Sequence, residues 1–191
     1  MNSEDFRKNA HEIVDWVADY LETVRDYPVR AQVKPGETFE KLPNIPPVDG
    51  EPFDGLMQDF KDIIMPGITH WQHPRFFAYF PANVTPASLL AEMLTSALGV
   101  NTMLWETSPS ATELEEQMMD WLKEMLQLPK DWAGVIQDTA SSATFCAVLA
   151  ARERATGWQV NETGLWDAPP LAFYTSAEAH SSLEKAVKMA G

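Results

Sequence analysis

The chain is 191 residues long, 45% apolar and carries a formal net charge of −14. That length and apolar share suffice for a sizeable core in one or two domains. The acidity excludes nucleic acid or an anionic membrane surface as partner, since both need a basic face. A single cysteine, Cys146, leaves no disulfide framework and no thiolate metal site.

Residues 2–8 are polar with no apolar run behind them, so no secretory signal is expected. The most apolar stretch, 86–100, is interrupted by Glu92 and too short to span a bilayer. A cytoplasmic protein is the expectation.

The first element is a helix capped by Ser3. Phe6, Ala10, Ile13, Val14, Val17, Tyr20, Leu21 and Val24 keep helical spacing over about five turns. Residues 26–50 contain Pro28, Pro35, Pro43, Pro46 and Pro47 and read as an extended arm that cannot cover that stripe. The uncovered face points to burial elsewhere, most simply on a second subunit. A short helix follows over 53–64.

Residues 65–86 are irregular and rich in aromatics: Trp71, Phe76, Phe77, Tyr79 and Phe80, among His70, His73, Pro66, Pro74 and Pro81. Such a cluster is either a plug under a loop or the wall of a ligand pocket. Two histidines with no nearby acid or third histidine do not make a metal site. Thr85 and Pro86 then start a helix that Gly99 ends, and its leucines predict deep burial. Ser110 and Glu113 read as a capping box for the next helix, which runs toward Pro129.

Gly134-Val135-Ile136 reads as a short buried strand, and an Ala/Leu-rich helix covers about 143–153. Cys146 falls on its apolar side, as a buried thiol. Between strand and helix lie Thr139, Ala140, Ser141 and Ser142, small residues that let an anion approach free backbone N–H groups. The alternative is an ordinary N-capped helix. After a polar loop over 158–170, Leu171-Ala172-Phe173-Tyr174 forms a second strand, and Ser181 or Ser182 starts a last helix. Strands alternating with helices predict an α/β domain with a mainly parallel sheet. His180 follows the second strand and would lie near the anion turn, because ligands in such sheets sit beyond the strands' carboxyl ends. A histidine before a helix can also serve simply as a cap.

These residues resemble the group II pyridoxal-phosphate decarboxylases, and within them the aromatic-L-amino-acid decarboxylases. The matching segments are Pro66-Gly67-Ile68-Thr69-His70-Trp71 and His73-Pro74-Arg75-Phe76-Phe77-Ala78-Tyr79-Phe80-Pro81. Trp105 with Ser108-Pro109, Thr112-Glu113-Leu114-Glu115, Met119-Asp120-Trp121-Leu122, Gly134-Val135-Ile136-Gln137 and Ala179-His180-Ser181-Ser182 complete the set. The order and number of segments make the resemblance specific over nearly the whole chain.

The resemblance implies the aspartate aminotransferase type of fold, the pyridoxal-phosphate (PLP)-dependent transferase fold, in an intertwined homodimer. Residues 1–85 would then be a helical arm swapped onto the partner subunit, and residues 86–191 the first part of the large cofactor domain. It implies that Ala140 and Ser141 bind the pyridoxal 5'-phosphate group and that His180 stacks on its ring and meets the substrate. Trp71, Tyr79, Phe80, Pro81 and Ala82 would line the substrate pocket, with Asn101 and Met103 reaching the partner's pocket. The implied reaction is decarboxylation of aromatic L-amino acids (Trp, Phe, Tyr or DOPA) to the arylalkylamine and CO2.

Three departures from the family pattern stand out. Ala82 replaces a common Thr, Asn101 and Met103 replace more apolar residues, and Asp138-Thr139 replaces a frequent Gly-Ser pair. None of the lysines, Lys185 and Lys188 included, has the histidine-preceded setting of the family's cofactor-bearing lysine. The chain is therefore expected to be one piece of an enzyme, inactive alone. An aromatic aldehyde synthase of the same family and a non-catalytic segment that only docks onto a partner chain are the competing readings.

Overall fold

The computed structural model describes residues 1–191 as two compact units, 1–94 and 95–191. The first begins with α1 (Ser3–Thr23). Its cap is Asn2 rather than Ser3: the Asn2 Oδ1 accepts the N–H groups of Glu4 and Asp5, both at 2.9 Å. An Asn amide oxygen one residue earlier satisfies two of the free donors of the first turn.

One part of the α1 stripe is covered by aromatic rings. Trp16 and Tyr20, one turn apart, stack at 5.4 Å, and Trp16 meets Phe60 edge-on at 5.0 Å. Phe60 opens a π-helical turn, Phe60–Ile64, that extends α3 (Phe53–Asp59) and runs into a 3-10 turn, Met65–Gly67. Met57 and Met65 are buried there. Phe6, Ile13 and Val14 of α1 remain exposed. The proline-rich arm is not extended throughout, for α2 (Glu37–Lys41) interrupts it behind Gly36, whose φ of +96° suits glycine alone.

The helix α4 (Pro86–Leu98) starts as its residues predict. Thr85 Oγ1 accepts the Ser88 N–H and Ser88 Oγ accepts the Thr85 N–H, a reciprocal cap, while Gly99 at φ +57° stops it. Its expected burial does not occur. Leu90, Met93, Leu94 and Leu98 are exposed, Leu98 by 73%. Leucines bury only where another element supplies a surface, and these 191 residues supply none here.

In the second unit, α5 (Pro109–Met125) follows Ser108, not a capping box at Ser110. Glu113 is otherwise engaged, its carboxylate accepting the Trp105 indole N–H at 2.8 Å. One face of α5 guides the next segment. Glu115 accepts the Ile136 N–H at 3.0 Å, and one turn on, Met119 lies so close to Gly134 that a Cβ there would meet its sulfur at 3.2 Å.

Neither Val135-Ile136 nor Leu171–Tyr174 is a strand, and the chain contains no strand at all. A strand exists only through hydrogen bonds to a neighbouring strand, and neither segment has such a partner within these residues. The helices around them form as expected. α6 (Ala140–Ala155) begins earlier than 143, a short α7 (Val160–Thr163) interrupts the polar loop, and α8 (Ser181–Ala190) closes the chain. Cys146 is exposed on α6, not buried, because its side of the helix is uncovered.

Helices α6 and α8 pack against each other. The Arg152 guanidinium ties them at one end, donating to the Ala190 carbonyl at 2.5 Å and pairing with the buried Glu153 carboxylate at 3.1 Å. Val148, Arg152, Val187 and Ala190 line one concavity.

Candidate cofactor and substrate site

At the amino end of α6, Thr139 is the cap, its hydroxyl accepting the Ser142 N–H at 3.2 Å. The Ala143 N–H is taken by the Thr139 carbonyl. The N–H groups of Ala140 and Ser141 precede any i−4 acceptor in the helix and have no partner in the chain. Both residues are exposed and small. Two free donors at the positive end of a 16-residue helix form a seat for a dianionic phosphate. The cap and the anion seat, alternatives in the sequence, coexist because they use different N–H groups.

His180 caps α8. Its Nδ1 accepts the Ser182 N–H at 3.2 Å and lies 2.9 Å from the Ser182 hydroxyl. With Nδ1 engaged as an acceptor, the neutral ring carries its proton on Nε2. The ring is exposed. The Ala140 and Ser141 donors fit the phosphate of pyridoxal phosphate, and His180 offers an exposed imidazole within the same unit. The lysines include Lys123, bound to Asp120 at 2.6 Å, and Lys188, bound to Glu184 at 2.5 Å.

The aromatic loop belongs to the first unit, and its base is fixed by two buried histidines. His70, 2% exposed, receives the Tyr20 hydroxyl at 2.8 Å on Nδ1, packs on the Tyr27 ring at 4.7 Å and gives its backbone N–H to the Val29 carbonyl. Burial, and secondarily His73, holds its pKa below the ordinary 6.5, while burial and Tyr27 raise that of Tyr20. His73, 3% exposed, accepts the Arg75 N–H on Nδ1, so its Nε2–H donates to the Arg25 carbonyl at 3.2 Å. Both histidines thus serve as anchors to the end of α1.

On that base Trp71 stacks on Phe76 at 4.8 Å and on Tyr79 at 5.6 Å. Tyr79 adopts φ +56°, a left-handed conformation costly for a bulky residue, and so folds back over Trp71. Trp71 and Pro81 line an open concavity of about 460 Å³, together with Phe76 and Val84. Phe80 is fully exposed, and Ala82 contributes only its carbonyl, which accepts from the Gln72 side-chain amide. Of the expected substrate residues in this unit, the structure brings Trp71, Tyr79 and Pro81 together. Asn101 and Met103, in the second unit, form a local turn in which Asn101 Oδ1 accepts the Met103 N–H at 2.8 Å.

Sequence reasoning missed Gln72, which holds two backbone groups downstream, and Tyr20, the partner of His70. The paired histidines in an aromatic segment were the available signal for Tyr20. Nothing local marked Gln72.

A model described as the pyridoxal-dependent decarboxylase conserved domain matches residues 35–191. Aromatic-L-amino-acid decarboxylase from Catharanthus roseus is 42% identical, covering all of this chain and 39% of that protein. Phenylacetaldehyde synthase from Petunia hybrida is 40% identical, covering all of this chain and 38% of that protein. The solved structure of Catharanthus roseus tryptophan decarboxylase in complex with L-tryptophan superposes with a TM-score of 0.90 at 42% identity, over the whole chain and 40% of that structure. The chain thus spans about two-fifths of the length of these relatives.

Proposed function

The chain belongs to the pyridoxal-dependent decarboxylase family, and from that premise we propose that its protein decarboxylates aromatic L-amino acids (tryptophan, tyrosine, phenylalanine or DOPA) to the arylalkylamine and CO2. The observation that carries the proposal is the pair of unused N–H groups at Ala140 and Ser141, at the start of a 16-residue helix.

Ala140 and Ser141 would hold the phosphate through backbone donors, assisted by the α6 dipole. His180, its Nδ1 fixed by Ser182, would lie against the pyridine ring and present Nε2–H toward the substrate. When bound, pyridoxal phosphate supplies the electron sink for the carbon from which CO2 departs. Trp71, Tyr79, Phe80 and Pro81 would take the aromatic side chain and exclude water from the departing carboxylate, whose charge is disfavoured in an apolar setting. Ala82 would leave that wall without a hydroxyl.

The same reading includes a cytoplasmic homodimer. The exposed Phe6, Ile13 and Val14 of α1 support a partner on residues 1–85, and the bare leucines of α4 support a large cover on residues 86–191. Asn101 and Met103 would then face the partner's pocket. Residues 135–136 and 171–174 would become strands of a mainly parallel sheet of the aspartate aminotransferase type, a reading supported by α6 and α8, each of which follows one of these segments in the chain. No helix is long and apolar enough to cross a membrane.

A second reading, an aromatic aldehyde synthase that couples decarboxylation to oxidative deamination, is favoured by the 40% identity to phenylacetaldehyde synthase. Supplying the cofactor-loaded protein with each aromatic amino acid and analysing products tests both. Amine and CO2 support the decarboxylase. Aldehyde and ammonia support the synthase, and turnover of neither kind removes both.

A further inference from the structure

Residues 77–84 include every proposed substrate contact of the first unit except Trp71, yet they make almost no hydrogen bonds of their own. The chain makes a turn bond at Phe76, to His73, and the next cap bond begins at Thr85. Between them, the two hydrogen bonds are both to one side chain. Gln72 Nε2 donates to the Ala82 carbonyl at 3.0 Å, and Gln72 Oε1 accepts the Val84 N–H at 3.1 Å. A carboxamide offers a donor and an acceptor side by side, so it pairs with alternate backbone groups much as a neighbouring strand would.

The clamp stands on a rigid base. Gln72 lies between His70 and His73, both buried and tied to the end of α1, and beside Trp71. The concavity of about 460 Å³ is bounded by Trp71 and Gln72 on one side and by Pro81 and Val84 on the other. The only hydrogen-bonded link between those sides is the Gln72 carboxamide. Tyr79 adds a stacking contact to Trp71, but in a left-handed conformation that resists being held.

We propose that Gln72 is the positioning residue of the substrate concavity: by bridging the Ala82 carbonyl and the Val84 N–H it sets the distance between the Trp71 and Pro81 walls, and with it the size of aromatic side chain accepted. This rests on the decarboxylase reading above. Gln72 touches neither substrate nor cofactor in this role, so its loss acts on substrate affinity more than on the chemical step.

The test uses the cofactor-loaded protein as wild type, Gln72→Ala and Gln72→Glu. Hydrogen exchange at the Val84 amide reads the clamp directly, and KM and kcat for tryptophan and phenylalanine read its consequence. In Gln72→Ala the Val84 amide exchanges about fivefold faster or more, as loss of one neutral hydrogen bond implies. KM for both substrates rises about fivefold to tenfold with kcat within about twofold, and the preference between the larger and smaller ring changes. Gln72→Glu keeps the acceptor for Val84 but turns a carboxylate on the Ala82 carbonyl, so it retains protection at Val84 while KM still rises.

An unchanged Val84 amide in Gln72→Ala overturns the clamp. A faster amide with unchanged KM and unchanged ring preference overturns the positioning role. If wild type turns over no aromatic amino acid while Val84 responds as expected, the decarboxylase reading fails and takes the substrate role of Gln72 with it, leaving the clamp itself established.

Discussion

The two places where ligand chemistry gathers are built in opposite ways. Around Trp71 the first unit spends its polar groups internally: Tyr20 on His70, Arg25 on His73, Gln72 on residues 82 and 84. At the start of α6 and α8 the second unit uses Thr139 and His180 for caps and leaves the Ala140 and Ser141 donors free. A wall that must keep a shape is fixed in advance, whereas a seat for a charged group keeps its donors available. Substitutions should therefore part along this line, affecting stability and substrate fit in the first unit and ligand retention and turnover in the second.

The largest separation is expected at His180. His180→Ala should lower kcat of the cofactor-loaded enzyme about a hundredfold or more, yet cost only about 1 kcal/mol of stability through the lost cap. His180→Asn sharpens the contrast, since Asn restores a cap without a ring, so stability should return and turnover should not. Recovery of turnover in the Asn variant would show that capping was the whole role.

Ser141→Asp comes next. An acid at the amino end of a helix favours the helix itself but repels a phosphate, so melting should hold steady while cofactor retention on dialysis falls about tenfold or more. Absorbance of the retained cofactor measures it. In the first unit, Tyr20→Phe removes the donor to a buried imidazole nitrogen and should cost about 1 to 3 kcal/mol, read as a lower denaturation midpoint.

The smallest effect is a pH dependence. His70 is held below the ordinary 6.5 by burial, so the unfolded chain binds the proton more readily than the folded one. Its contribution to stability is complete above about 6.5 and is lost as the pH falls through the window below that value. Melting measured from pH 7 down to pH 5 should show this slope in wild type and a shallower one in His70→Gln.

Legibility in the sequence followed the range of the interactions involved. Helix spacing, the Thr85–Pro86 start, the Gly99 stop and the small residues that open α6 are local signals, and all are found in the structure. The capping assignments at Ser3 and Ser110 failed because Asn2 and Trp105 competed for the same groups, and propensity does not rank competitors. The burial expected for α4 and Cys146, and the two strands, failed for another reason: each needs a surface or a ladder that these residues do not contain. Gln72 stayed hidden because its role depends on a loop returning ten and twelve residues later.

The join between α6 and α8 has an energetic consequence. The Arg152 guanidinium of α6 meets the Ala190 carbonyl, one of the end-of-helix acceptors that α8 cannot satisfy within itself, and also faces the buried Glu153 carboxylate. One side chain thus answers two needs, and removing it would strip a buried carboxylate of its cation at the same moment as it frees the end of α8.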